Sequence, residues 1–247
     1  MPLPQQTALI TGAASGIGLA TARHLAAAGV ARLILIDRDA TALDRVDLPC
    51  PVLRLAGDVA DEGFWTDAAP HLAPLDLAVI NAGVAGAGPV ADLPFAEWRR
   101  ILSVNLDGAF LTLRAALRAM NDNGAIVAVA SAAGLKAEAG TAAYGASKAA
   151  LLHLVKVAAK ESAPRRIRIN AIAPAGVDTP VWDAVPMFAA RATEIGRAAA
   201  FAELAATTPL ARLATPAEIA TQIAWLLSPA AALITGTTLV ADGGYTL

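Results

Sequence analysis

The chain has 247 residues, 56% hydrophobic and 16% charged, which supports a large apolar core and excludes a disordered chain. A formal net charge of -2 excludes the broadly basic surface that nucleic acid or an anionic membrane demands. The single cysteine, Cys50, excludes an internal disulfide, and no Cys/His cluster has metal-ligand spacing, so no metal is expected.

The opening "MPLPQQTALIT" lacks a basic stretch followed by an apolar one, so it is not read as a signal peptide, and a cytoplasmic location is expected. The first strand is "TALIT" (7–11). It runs into "TGAASGIG", where Gly12, Ser15, Gly16, Ile17 and Gly18 make a glycine-rich turn at the start of a helix over 16–28. Such a turn brings backbone close to a pyrophosphate and aims the free N–H groups of a helix N-terminus at it. The spacing is G-x-x-x-G-x-G, which departs from the general dinucleotide fingerprint and is weak alone.

The second strand, "RLILI" (32–36), ends at Asp37, close to where a carboxylate accepts hydrogen bonds from an adenosine ribose. A carboxylate there repels a 2′-phosphate, so NAD is expected over NADP, although Arg38 beside it is suited to accept that phosphate. Further strands are read at "PVLRLA" (51–56), "LDLAVI" (75–80), "AIVAVA" (125–130), "IRINAIA" (167–173) and "TTLVA" (237–241). Helices are expected near 61–71, 94–120, 144–162 and 216–227. Alternating strands and helices with no linker or repeat imply one α/β domain over 1–247, a Rossmann-type doubly wound parallel sheet of about seven strands. The uncharged run Ile219–Ala241 contains Gln222, Ser228, Pro229 and Gly236, so it is not read as a membrane span. Residues 180–208 form a helical insertion at the end of the sheet where ligands bind, the place for a substrate lid.

Tyr144, one of two tyrosines, precedes Lys148 by one helical turn in "AAYGASKAA". An ammonium at that distance stabilises a phenolate, and a phenolate can take the proton of an alcohol while its carbon gives up a hydride. Ser131, at the end of the fifth strand, is placed to hydrogen-bond the same substrate oxygen.

These motifs, in this order, resemble the short-chain dehydrogenase/reductase family over essentially the whole chain. "TGAASGIG" is similar to its cofactor turn, "DV" (Asp58, Val59) to its adenine-contacting pair, and "NAG" (Asn81, Ala82, Gly83) to the motif after its fourth strand. The resemblance implies that Tyr144 is the general acid/base, that Ser131 polarises or positions the substrate oxygen, and that Lys148 holds the nicotinamide ribose and lowers the phenol's pKa. It also implies that Asn105 supports a water relay to Lys148; the plainer role for that side chain is satisfying backbone groups in a kinked helix. In "APAGVDTP" it implies cofactor contacts from Pro174, Val177 and Thr179. Ala175 stands where the family usually has glycine, and it would be strained if φ there is positive.

Val181, Trp182, Val185, Met187, Phe188 and Phe201 in the lid favour an apolar secondary alcohol or ketone, alicyclic, aromatic or steroid-like. Equally, these side chains can pack into the core or a subunit contact. Lys136 and Glu138 are placed to line the mouth and bind something polar. The runner-up activity is an NADPH-dependent 3-oxoacyl carrier-protein reductase, and a different class is a catalytically silent nucleotide sensor. The expected partner is a small molecule, with neither nucleic acid nor membrane, and the resemblance implies a homotetramer.

Overall fold

The computed structural model describes residues 3–247. Seven strands form one parallel sheet: β1 Thr7–Thr11, β2 Arg32–Asp37, β3 Val52–Ala56, β4 Leu75–Ile80, β5 Met120–Val129, β6 Arg168–Pro174 and β7 Thr238–Ala241. Their spatial order is β3-β2-β1-β4-β5-β6-β7. The chain builds outward from β1 through β3, then crosses to the other side of β1 to lay down β4 and the rest. Connections therefore diverge between β1 and β4, and a crevice opens there beyond the carboxyl ends.

The central strands are largely apolar because both faces are covered. In β2, Ile34 and Ile36 enter one core with Trp65, Leu113 and Leu151, while Leu33 and Leu35 enter the other with Leu25, Leu43 and Ile223. The first core lies under α3 (Glu62–Leu72), α5 (Gly108–Ala119) and α6 (Ala142–Ser162); the second lies under α1 (Gly16–Ala27), α2 (Ala40–Asp44) and α9 (Pro216–Leu227). Alternate residues along one strand feed opposite layers, so the period of two is hidden in the sequence by uniform hydrophobicity.

Two elements depart from expectation. The helix read over 94–120 is α4 (Phe95–Leu102), a π-helical turn (Ser103–Asp107) and α5, and Met120 already opens β5. The pairing of β4 with β5 shifts register between Leu75 and Leu77, which accommodates the exposed Asn121–Asn123 stretch with Asn123 at φ +67. The short α2 carries too little pattern to be read ahead; Asp39 caps it, accepting from the Ala42 N–H at 2.9 Å. The insertion is a turn of 3-10 helix (Pro180–Ala184) followed by α7 (Pro186–Ile195) and α8 (Arg197–Ala205).

Candidate active site

A cavity of about 960 Å³ opens at the carboxyl ends of the strands, lined from Gly12 and Asp37 at one extreme to Tyr144, the 180–208 insertion and Tyr245 at the other. Ser15, Gly16 and Ile17 face it from the N-terminus of α1, where Ser15 makes no side-chain cap. The first N–H groups of that helix are thus left for an anionic ligand. Gly12 adopts φ +65 and Gly16 φ +52, conformations that favour glycine.

Gly18 does not line the cavity. A Cβ on it would lie 2.0 Å from the Gly12 carbonyl oxygen, so this glycine lets helix and turn touch. Gly18→Ala is expected to destabilise the protein by about 2–4 kcal/mol, because backbone must move. The check is a urea unfolding midpoint; an unchanged midpoint would contradict this packing role.

Asp37 ties the end of β2 to the turn: its Oδ2 accepts from the Ala14 N–H at 2.9 Å and its Oδ1 from the Asp39 N–H at 3.0 Å. An ionised carboxylate has about four acceptor positions, so two remain for ribose hydroxyls. Arg38, Asp58, Val59, Asn81, Ala82 and Gly83 line the same half of the cavity. The Asn81 side chain donates to the carbonyls of Thr11 (2.9 Å) and Gly12 (3.1 Å), while the buried Thr11 Oγ1 accepts from the Asn81 and Ala82 N–H groups. Thr11 thus locks the crevice between β1 and β4.

At the floor, Ser131 follows β5 in extended backbone, and its Oγ accepts from the Ala133 N–H at 3.2 Å. Its hydroxyl reaches the Tyr144 phenol; burial pushes that phenol's pKa up, and the hydrogen bond from Ser131 opposes the rise. Lys148 is 4% exposed and donates from Nζ to the Val129 carbonyl at 3.0 Å. Burial lowers its pKa to about 8. Its Nζ lies 5.7 Å from the centroid of the Tyr144 ring.

Asn105 sits in the π-helical turn and does not line the cavity. Its Oδ1 accepts from the Val84 N–H at 2.8 Å, and its Nδ2 donates to the Val84 carbonyl (3.0 Å) and to Ser147 Oγ (3.2 Å). Ser147 in turn donates to the Tyr144 carbonyl at 2.7 Å. The side chain therefore clamps the loop after β4 to the helix that carries Tyr144, which is the plainer of its two expected roles.

Glycine turn, helix N-terminus, ribose-level carboxylate and a Ser–Tyr–Lys floor in one cavity fit a dinucleotide and a small alcohol. A family model described as "Enoyl-(Acyl carrier protein) reductase" matches residues 12–246. The chain is 39% identical to a cis-4-hydroxycyclohexanecarboxylate dehydrogenase of Sinomonas cyclohexanicum, covering 98% of this chain and 97% of that one. It is 40% identical to a galactitol 2-dehydrogenase (L-tagatose-forming) of Cereibacter sphaeroides, covering 97% and 94%. A short-chain type dehydrogenase/reductase from Mycobacterium marinum, of known structure, superposes with a TM-score of 0.87 at 33% identity, covering 99% of this chain and 97% of that one. The chain belongs to the short-chain dehydrogenase/reductase family. Its members are oxidoreductases that use a nicotinamide cofactor.

In this dehydrogenase/reductase chain, Pro174, Val177 and Thr179 line the cavity beyond β6. Ala175 is not among the residues with positive φ, so the expected strain is absent. Gly176 is the tight position instead: a Cβ there would meet Leu213 Cδ2 at 2.6 Å. Thr179 packs its Cγ2 3.2 Å from where a Cβ on Gly16 would lie, joining the loop to the glycine turn.

The aromatic side chains of the insertion are largely committed to one another. Phe188 lies 4.6 Å from Phe201 and 5.3 Å from Trp182, ring centroid to centroid, and Phe201 does not reach the cavity. Arg197 stacks over Phe201 at 4.8 Å, donates to the Thr179 carbonyl at 3.2 Å, and pairs with Asp178 and Asp183. Val181, Trp182, Val185, Met187, Phe188 and Leu204 still give the cavity an apolar wall.

Charged groups edge that wall. Arg191 of α7 and Glu203 of α8 form an ion pair at 2.5 Å, and Lys136, Glu138 and Tyr245 close the other side. Thr11 and Ser147 lie within the quoted motifs without a role that spacing assigns, and Arg197 and Tyr245 lie outside them. Only the folded chain joins them to the site.

Proposed function

We propose that the protein is an NAD-linked dehydrogenase of secondary alcohols, working reversibly as a ketone reductase on a substrate with an apolar, ring-like body. The observation that carries this reading is one cavity with the Ser131–Tyr144–Lys148 cluster at its floor and Asp37 at its far end. A dinucleotide cofactor would be held by the α1 N-terminus and glycine turn at its phosphates, by Asp37 and Asp58 at adenosine, and by Lys148 and Thr179 toward the nicotinamide. A nicotinamide bound there would supply the acceptor and donor of hydride for the carbinol carbon. Tyr144 takes or gives the oxygen-bound proton, while Ser131 orients that oxygen and Asn105 holds the Val84 loop and α6 at a fixed spacing. The apolar wall of the insertion and the alicyclic substrate named for the Sinomonas relative support a ring-bearing alcohol.

Two other readings fit less well. A reductase serving an acidic carrier protein gains from a basic docking face, and this chain carries a net charge of -2. A silent sensor has no use for a Tyr144 phenol bonded to Ser131 at the floor of the cavity. The reading also takes the protein as a cytoplasmic homotetramer, with Phe110 of α5 and Val157 of α6 exposed on faces available for contact. No helix among the described residues is long and apolar enough to cross a membrane.

The cofactor half of the reading rests on the charge of Asp37. The native protein is expected to favour NAD in kcat/KM. Asp37→Asn keeps an acceptor for the Ala14 N–H but removes the charge that repels a 2′-phosphate. It is expected to move the NAD/NADP ratio by about 10-fold or more toward NADP, with Arg38 then dominant. A native preference for NADP would overturn this assignment.

A further inference from the structure

The mouth of the cavity on the side away from α7 is built from two distant segments. One is the loop between β5 and α6, which carries Lys136 and Glu138; the other is the stretch after β7, which carries Tyr245. Lys136 donates from Nζ to the Tyr245 carbonyl at 2.7 Å and lies 4.4 Å from the centroid of its ring. The Tyr245 hydroxyl donates to Glu138 Oε2 at 2.6 Å. Asp242 fixes the turn beneath, accepting from the N–H groups of Gly244 and Thr246 at 2.8 Å each. Hydrogen bonds tie this rim together, although Lys136 and Glu138 stay exposed.

Its charges are unevenly satisfied. Arg191, across the cavity, has Glu194 at 2.8 Å and Glu203 at 2.5 Å as anionic partners. Glu138 is engaged by the tyrosine hydroxyl, which burial and the neighbouring carboxylate hold protonated by pushing its pKa up to about 12. Among the described residues Lys136 has no carboxylate partner; its contacts there are one neutral carbonyl and one ring. Two of its three donors remain at the edge of a cavity whose insertion-side wall is largely apolar.

We propose that Lys136, set in place by Tyr245 and Glu138, binds an anionic group on the end of the substrate remote from the reacting carbinol, so that the preferred substrates are hydroxy acids with an apolar ring between the two ends. This rests on the secondary-alcohol reading above. A carboxylate at that end forms a charge-assisted hydrogen bond with the free donors, and the apolar middle meets Val181, Val185 and Leu204. The Tyr245 hydroxyl fixes the Glu138 carboxylate at its own side of the cluster, which keeps that charge from turning toward the Lys136 ammonium.

The experiment measures initial rates with NAD on 3- and 4-hydroxycyclohexanecarboxylate, on their methyl esters and on cyclohexanol, using the native chain and three variants. The native protein is expected to favour acid over ester by about 10-fold or more in kcat/KM, chiefly through KM. Lys136→Gln brings the ratio close to one, and Lys136→Arg retains most of it. Tyr245→Phe releases the Glu138 carboxylate beside the anion and lowers the ratio several-fold. Equal native rates on acid and ester, or a preference that survives Lys136→Gln, would overturn the inference while leaving the alcohol dehydrogenase intact. No turnover of any alcohol would sink that reading and this inference with it.

Discussion

Replacing Tyr144 by Phe is expected to lower kcat by about 10²–10⁴-fold while leaving cofactor affinity and thermal stability near their native values. The phenyl ring fills the same space, and the lost hydroxyl gives up its hydrogen bond with Ser131. What disappears is the proton donor and acceptor at the substrate oxygen. Burial raises the phenol's pKa in the protein without cofactor, so near neutral pH the group is a phenol, ready to protonate a carbonyl as it is reduced. Oxidation needs the phenolate, so its rate is expected to rise toward alkaline pH while reduction falls. In this state the nearest help for the anion comes from Ser131, with the Lys148 ammonium 5.7 Å from the ring centroid. Native-like turnover by Tyr144→Phe, measured under saturating cofactor, would remove the tyrosine from the chemistry.

Lys148→Met is expected to abolish most activity and to make the protein without cofactor more stable, a combination that few active-site substitutions give. The lysine is buried, and its ammonium has the Val129 carbonyl as its hydrogen-bond partner. A pKa of about 8 in the folded state against 10.5 for the free side chain corresponds to about 3 kcal/mol of disfavour for the charged form. Below pH 8 both folded and unfolded states hold the proton, and the folded state carries the whole penalty. Between pH 8 and 10.5 the unfolded chain keeps its proton while the folded one sheds it, so native stability rises with pH across that window. Methionine avoids the penalty but leaves the Val129 carbonyl unpaired, at a cost of about 1 kcal/mol. The variant is therefore expected to melt about 5 °C higher at pH 7, with the gap shrinking toward pH 10.5. A variant less stable than the native protein at pH 7 would show that the lysine holds the fold together and is not strained into it.

Much of this was legible in the residues. The seven strands, the crevice after β1 and the residues around it follow from hydrophobic runs and glycine spacing, because local sequence dictates both. Asn105 shows the boundary. Its place in a broken helix was readable, but its engagement with Val84 and Ser147 depends on a π-helical turn that no periodicity announces. The lid aromatics show another: composition leaves a substrate wall and core packing equally open, and the fold does both, with Trp182 and Phe188 at the cavity and Phe201 packed behind them. Ala175 was expected to matter through φ, yet the constraint falls one residue later, on Gly176 against Leu213. Tyr245 lies more than a hundred positions from Glu138, and only tertiary packing brings them into contact.

The most direct test of the central claim is nicotinamide reduction by the purified protein, with NAD and NADP supplied separately, across small aliphatic, alicyclic, aromatic and steroid secondary alcohols and polyols. Turnover is expected with NAD, highest on an alicyclic or other ring-bearing alcohol and eliminated by Tyr144→Phe. Turnover confined to NADP, or none on any alcohol despite tight NADH binding, would contradict it.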